Sequence, residues 1–274
     1  MTLLLLTLLG GVIIGILGGL LGVGGGVLWV PYLVIVVGLR PVEAVGIALF
    51  CVIGTCVAGT RKGLLEGRTN VPLALSLEPF MVVGAVLSSF AAYRVSDRLL
   101  LSGFSFLLIA IAVLFLGRGY WGQDATIAPD GPAHFTDSAF FEKDGSLIVY
   151  RVLRRKTLSA LVFISGLATG FFGIGGGVLN VPWMNLVSRV PLRAAAATST
   201  FTMAVTGAAA GAVHFSQGEI AGDIVAAALL GVIPGGRLGD RLLGRLSDHS
   251  IRWIFASLLF FVGGIIALKA AGVI

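Results

Sequence analysis

The chain has 274 residues, 57% of them hydrophobic and only 12% charged, and its mean hydropathy of +1.02 lies far from that of soluble domains. Its apolar runs are continuous rather than alternating, which excludes a transmembrane β-barrel and defines an all-α polytopic membrane protein. The formal charge of +6 does not mark a nucleic-acid binder, because the Lys and Arg residues sit in short loops flanking apolar runs, where retention on the cytoplasmic side accounts for them.

From the start, residues 2–38 form one apolar stretch broken by a glycine cluster. A bilayer core of about 30 Å needs about 20 helical residues to cross, so the stretch is long for one crossing and short for two. Two half-length helices meeting at a glycine-rich tip are expected. Gly11, Gly15 and Gly19 recur every four residues on the first of them and form a close-packing face. The leader Met1–Leu9 lacks a basic n-region and is kept in the fold. Spans follow at about Val42–Thr60, Val71–Tyr93 and Leu99–Leu116. Cys51 and Cys56 share the first of these, so no disulfide framework is expected.

Residues 118–156 are polar and hold five acidic residues before the basic end Arg151, Arg154, Arg155 and Lys156. Asp144-Gly145, between two apolar runs, predicts a two-residue β-hairpin turn. The segment reads as a cytoplasmic linker with a small β element. A second broken stretch, Thr157–Val187, and spans near Ala194–Phe215, Ala221–Leu243 and Ile251–Ala271 complete the chain.

The second series repeats the first. Gly22-Val23-Gly24-Gly25-Gly26-Val27-Leu28-Trp29-Val30-Pro31 superposes on Gly173-Ile174-Gly175-Gly176-Gly177-Val178-Leu179-Asn180-Val181-Pro182 at an offset of 151 residues, with 10 identities in the 17 positions from Gly15 to Pro31. The same offset brings Gly67 onto Gly218, Gly84 onto Gly235 and Ser96-Asp97 onto Ser247-Asp248. The organisation is therefore a first transmembrane repeat (1–117), the linker (118–156) and a second repeat (157–274). The loop Arg61–Arg68 holds three basic residues, whereas its counterpart His214–Asp223 holds none and carries Glu219 and Asp223. The positive-inside rule puts these loops on opposite faces. Two inverted-topology repeats are expected, each a glycine-rich broken helix hairpin plus three transmembrane helices, multi-pass in the cytoplasmic membrane.

The glycine clusters do not match the G-x-G-x-x-G dinucleotide fingerprint, and no strand precedes them. Two readings stand: tight helix packing at a bend, or an anion site where two opposed tips bring helix N-termini, with free N–H groups, near the midplane. Glu78 lies inside a span, where an acid is costly unless paired, protonated or facing a cavity. It is a candidate coupling group, with a helix-break partner or interface residue as the alternative. His214 is a candidate pH-sensitive relay. Arg237 is either a cation on the exit path or part of a cytoplasmic cluster with Asp240 and Arg241. Thr198, Ser199, Thr200, Thr202 and Thr206 fall within a few turns of one helix and either face a substrate or back-bond to their own carbonyls.

The paired G-x-G-G-G-x-[LV]-x-V-P stretches, the Ala197-Thr198-Ser199-Thr200 run and Ile233-Pro234-Gly235-Gly236-Arg237-Leu238-Gly239-Asp240 resemble the TauE/SafE family of sulfite and organosulfonate exporters. The resemblance covers both halves and implies export of a small sulfur-containing anion. The first copy departs from it, having Gly46-Ile47-Ala48-Leu49 where the second has the Thr-Ser-Thr run. On this reading the substrate-binding candidates are Gly24, Gly25, Gly26, Gly175, Gly176, Gly177, Asn180, Thr198, Ser199, Thr200, Trp29 and Trp183. The two tryptophans have interface anchoring as their alternative. Glu78, His214 and Arg237 are the coupling or gating candidates. The expected partners are the anion and the lipid bilayer, with room for a homodimer; no cofactor, metal or nucleic acid is expected. A channel is a competing function. An intramembrane enzyme or assembly factor is another, but no span carries a metal-ligand pair, a carboxylate dyad or a Ser/His/Asp set, and the histidines are scattered at 134, 214 and 249.

Overall fold

The computed structural model describes residues 1–21, 25–116, 135–141, 145–218, 220–243 and 248–273. The chain runs α1 (Thr2–Leu21), α2 (Gly26–Tyr32), α3 (Pro41–Leu65), α4 (Val71–Ala92), α5 (Asp97–Leu116), β1 (Ser138–Phe141), β2 (Leu147–Tyr150), α6 (Arg155–Phe172), α7 (Gly177–Pro182), α8 (Leu192–Ser216), α9 (Gly222–Leu243) and α10 (Asp248–Ala270). Adding 151 to the limits of α3 and α4 gives those of α8 and α9 to the residue. The repeat in the sequence is thus a repeat of helices.

One expectation is corrected. The first apolar stretch is not two half-length helices: α1 has 20 residues, about 30 Å at 1.5 Å per residue. Only its partner is short, α2 continuing through a π-helical turn at Leu33–Val37. The second copy repeats this with α6, α7 and a π turn at Trp183–Val187. Pro182 is the last residue of α7 and Pro31 the last but one of α2. Proline has no N–H to give to the preceding turn, and the helix widens within two residues of each ring.

The two halves pack through each other. α1 lies on α9 and α4 on α6, while α3 pairs with its equivalent α8 and α5 with its equivalent α10. A Cβ on Gly15 would stand 2.6 Å from the Val232 carbonyl oxygen, and one on Gly166 would run into the carbonyl of Met81. Gly15 and Gly166, and Val232 and Met81, are equivalent by the 151-residue offset, so one glycine contact is used twice. Gly11 and Gly15 form the expected close-packing face. Gly46 of α3 meets His214 of α8 and Gly63 meets Ala197, so these equivalent helices run antiparallel.

Among the described residues, three helices are long and apolar enough to cross a membrane: Pro41–Leu65, Val71–Ala92 and Gly222–Gly239. Leu9, Ile13, Phe80, Leu87, Phe90, Phe106 and Phe260 are exposed along the helices. Such a surface belongs in lipid rather than in water.

The linker carries the expected hairpin in a different register. Phe141 pairs with Leu147 and Phe140 with Ile148, one residue away from what a two-residue Asp144-Gly145 turn would impose; Asp144 itself lies outside the described residues. The observed register puts Phe140, Ile148 and Tyr150 on one face. Phe140 and Tyr150 are buried there against Leu73, Leu158 and Ala194. A one-residue slip would turn that set away from its core.

Candidate functional site

The glycine tips come together. Gly25, the residue before α2, has φ +69°, and Gly175 and Gly176, before α7, have φ +69° and +76°. In that left-handed region a side chain is strained, so glycine makes each sharp return. A Cβ on Gly26 would stand 2.8 Å from the carbonyl oxygen of Gly173 in the other tip. Gly22 and Gly24 lie outside the described residues. The space between the tips is filled by apolar groups: Val52 bounds Gly26 and Gly175, and Met203 packs against Gly175 and Gly177. Among the described residues, the polar groups nearest the tips lie beside the second one.

Such a group of residues flanks the second tip. The first bonds of α7 run from the N–H groups of Leu179 and Asn180 to the Gly176 carbonyl, at 3.1 and 2.9 Å. The Gly177 and Val178 N–H groups consequently have no acceptor within the helix. Asn180 is fully buried; its Nδ2 donates to Met81 Sδ at 3.1 Å, while its Oδ1 has no partner. A thioether is a weak acceptor, so this amide is poorly satisfied by the protein alone. Gly176 closes the other side, beside Thr169 Oγ1 and Asn180 Nδ2.

Glu78 lies one turn before Met81 on α4. It is 8% exposed; Thr206 of α8 donates to its Oε1 at 2.6 Å, and Oε2 is buried without a partner. Thr202 donates to the Ser199 carbonyl at 2.9 Å, and the Ser199 hydroxyl is itself buried and unpartnered. The unpaired polar atoms of Glu78, Asn180 and Ser199 thus belong to α4, α7 and α8, helices that pack on one another.

Other candidates are placed elsewhere. Thr198 Oγ1 accepts the Asn70 N–H at 2.9 Å, tying α8 to the start of α4. Thr200 back-bonds to the Ala196 carbonyl at 2.8 Å and touches Gly59 of α3. Trp29, which stands where the second copy has Asn180, is fully buried with its indole N–H unpartnered, and its edge meets Tyr32. Burial removes the interface-anchor reading for Trp29. Trp183 is partly buried, with its N–H also unpartnered. His214 is fully buried, with Nδ1 2.9 Å from the Tyr93 hydroxyl and Nε2 3.3 Å from the Gly170 carbonyl oxygen. Arg237 is exposed on α9, a helix packed on α1 and α3, and is not brought to the tips. A crevice of about 420 Å³ between α3 and α8, lined by Val57, Arg61, Leu64 and Phe201 among others, contains none of the candidates.

Sequence reasoning passed over Asn70. It caps α4, its Oδ1 accepting the Leu73 N–H at 3.0 Å, and its Nδ2 donates to the Thr136 carbonyl at 2.9 Å and the Tyr150 hydroxyl at 3.2 Å. Burial raises the pKa of the Tyr150 phenol, which keeps it neutral. This residue pins the linker to the helices. Asn70→Ala is expected to lower stability by about 2 kcal/mol, from a lost cap and two lost buried hydrogen bonds, and Tyr150→Phe by less. Thermal unfolding of the purified variants checks the order.

A bundle of apolar helices crossing through a glycine-lined centre, with poorly satisfied polar groups buried at mid-length, is the build of a membrane transporter. Comparison with known proteins agrees. Residues 7–266 match the model of the sulfite exporter TauE/SafE family, and the chain belongs to that family. It is 25% identical over 264 residues to the probable membrane transporter protein YunE of Bacillus subtilis, covering 92% of this chain and 93% of that one. It is 29% identical over 266 residues to a probable membrane transporter protein of Xylella fastidiosa, covering 94% and 93%. It also aligns at 28% identity with the probable membrane transporter protein MamO of Magnetospirillum gryphiswaldense, over 89% of this chain but 41% of that one. No solved structure matches.

Proposed function

We propose that the protein is a secondary transporter that exports a small sulfur-containing anion, sulfite or an organosulfonate such as sulfoacetate, across the cytoplasmic membrane. It works by alternating access around a site buried at the depth of the glycine tips. The observation that carries this reading is Asn180: a fully buried amide at the start of α7 whose Nδ2 donor has only a weak thioether acceptor and is thus available to an anionic oxygen. Neutral donors at a helix start suit a sulfonate or sulfite oxygen. They also leave no permanent cation to bury when the carrier returns empty.

The antiparallel pairing of α3 with α8 supports an inverted-topology repeat, since helices related by a two-fold axis in the membrane plane run in opposite directions. Charge supports the orientation. Arg61 and Lys62 at the end of α3 lie at the same end of the bundle as Lys156 and Arg193, which begin α6 and α8. That end faces the cytoplasm. At the other end two of the basic residues are engaged: Arg98 donates to the Ala270 carbonyl at 3.0 Å and Lys269 to the Val34 carbonyl at 2.9 Å. A cysteine label near Gly67 should accordingly react only from the cytoplasm and one near Gly218 only from outside; labelling of both from one face rules out inverted repeats.

The function is tested by titrating the purified protein with sulfite, sulfoacetate, taurine and sulfate, then measuring uptake of the best ligand into proteoliposomes. Saturable, gradient-dependent flux is the expected result. Unsaturable conductance would make the protein a channel.

A further inference from the structure

The interface of α4 with α8 carries a buried polar seam. Thr198, Thr202, Thr206 and His214 are all 0% exposed on α8. Their spacing of four, four and eight residues keeps them on one stripe over about 24 Å of helix. Glu78 meets that stripe midway, at Thr206.

The repeat supplies an internal control. At the 151-residue offset, Thr198, Thr202, Thr206 and His214 correspond to Ile47, Cys51, Thr55 and Gly63, and Glu78 corresponds to Leu229. The repeat-equivalent interface, of α9 with α3, is therefore mostly apolar, and a leucine fills the place of the carboxyl. Packing does not require an acid at this point of the fold, and a buried acid is costly. Glu78 is present for something other than architecture.

Its neighbours suggest what. One turn along α4, Met81 touches the Asn180 amide at 3.1 Å, which puts Glu78 and Asn180 on neighbouring turns of packed helices. A carboxylate facing a bound anion in a medium of low dielectric repels it and weakens its binding. Neutralising the carboxyl lifts that penalty, and by linkage the bound anion favours the protonated acid equally. The other charged side chains on the helices packed here sit at helix ends: Arg155 and Lys156 on α6, Arg193 and His214 on α8, Glu43, Arg61 and Lys62 on α3, with Tyr93 and Arg94 just past α4; between the ends of α3 lie the buried thiols of Cys51 and Cys56. α7 carries none.

We propose that Glu78 is the proton carrier of this transporter, taking up one proton as the anion binds beside Asn180 and releasing it as the anion leaves, so that anion and proton cross together. This rests on the anion-transport reading above. The carboxylate gains an O–H bond from a proton of the solution the anion enters from, and loses that proton to the solution it leaves into. A monoanion thus crosses with no net charge.

The test is isothermal titration of the full-length protein in nanodiscs with methanesulfonate, a sulfonate that stays ionised across the neutral range, in buffers of different ionisation enthalpy. The wild-type protein should bind one anion per chain and take up protons, the uptake rising toward one per anion as pH is raised. Glu78→Gln should bind without proton uptake and lose the pH dependence, Glu78→Asp should keep both, and His214→Gln should leave the uptake in place. Wild-type binding with no proton uptake overturns the coupling and leaves the anion site standing, as does uptake that survives in Glu78→Gln or vanishes in His214→Gln. Should Glu78→Gln not fold, the wild-type count and Glu78→Asp still decide. Absence of wild-type binding to methanesulfonate and to all four screened anions overturns the anion reading itself, and the coupling with it.

Discussion

Asn180→Leu is expected to weaken anion binding about ten- to a hundred-fold while leaving the protein folded. A hydrogen bond to a charged partner is worth roughly 1.5 to 3 kcal/mol, and each 1.4 kcal/mol is about a factor of ten in affinity. Stability should hardly change. The amide has only a thioether acceptor and an unpartnered oxygen, so exchanging it for an apolar group of similar volume removes little that the folded protein uses. Arg237→Gln, on an exposed part of α9, should leave affinity as it is. The opposite pattern, unchanged binding in Asn180→Leu and lost binding in Arg237→Gln, moves the site from the second glycine tip to the basic end of α9. Titration of both variants with one sulfonate is sufficient.

The other large effect is structural. Gly166→Ala drives a methyl into the Met81 carbonyl, and Gly15→Ala puts one 2.6 Å from that of Val232. Both neighbours are backbone inside packed helices and cannot turn aside as a flexible side chain would. Each variant should lose on the order of 3 kcal/mol, read as a lower thermal midpoint and a lower folded yield. Gly264→Ala, whose added methyl meets nothing within 4 Å, serves as the control and should be silent. Equal damage from Gly15→Ala and Gly166→Ala is the signature of one contact used twice; a silent Gly15→Ala would mean that α1 and α9 do not approach as described.

Replacing the tip glycines is less clean. Gly176→Ala would be strained both by φ of +76° and by Met81 and Thr169 beside it, so a fall in binding would not separate scaffold from ligand. Asn180 is the better probe because it can be changed without moving the backbone.

Local and periodic features were open to inspection in the sequence alone. Unbroken apolar runs can only satisfy their backbone in lipid as helices, and the 151-residue offset requires two copies of one unit whatever their arrangement. That α8 and α9 repeat α3 and α4 followed from that, although α3 runs five residues past the expected Thr60, to Leu65. The glycine returns were visible too, because only glycine takes the left-handed conformations seen at Gly25, Gly175 and Gly176 without strain. The polar seam was partly legible: Thr198, Thr202, Thr206 and His214 fall at multiples of four, which is one helix face, although the text of the chain shows equally the back-bonding that Thr200 turns out to make.

What required the tertiary structure were pairings across long separations. Nothing in the sequence tells that Glu78 of the first repeat meets Thr206 of the second, or that Asn180 meets Met81, because the halves pack through one another and these polar groups find their partners on helices from the other copy. The length of α1 was likewise decided by tertiary contact. An apolar run with a glycine cluster suits two short helices or one long and one short, and the glycine face of α1 against α9 stabilises the long one. The hairpin register was set the same way, by burial of Phe140 and Tyr150 against the helices rather than by the turn residues. Local chemistry chose the elements, and burial shared between distant segments chose among the arrangements those elements allow.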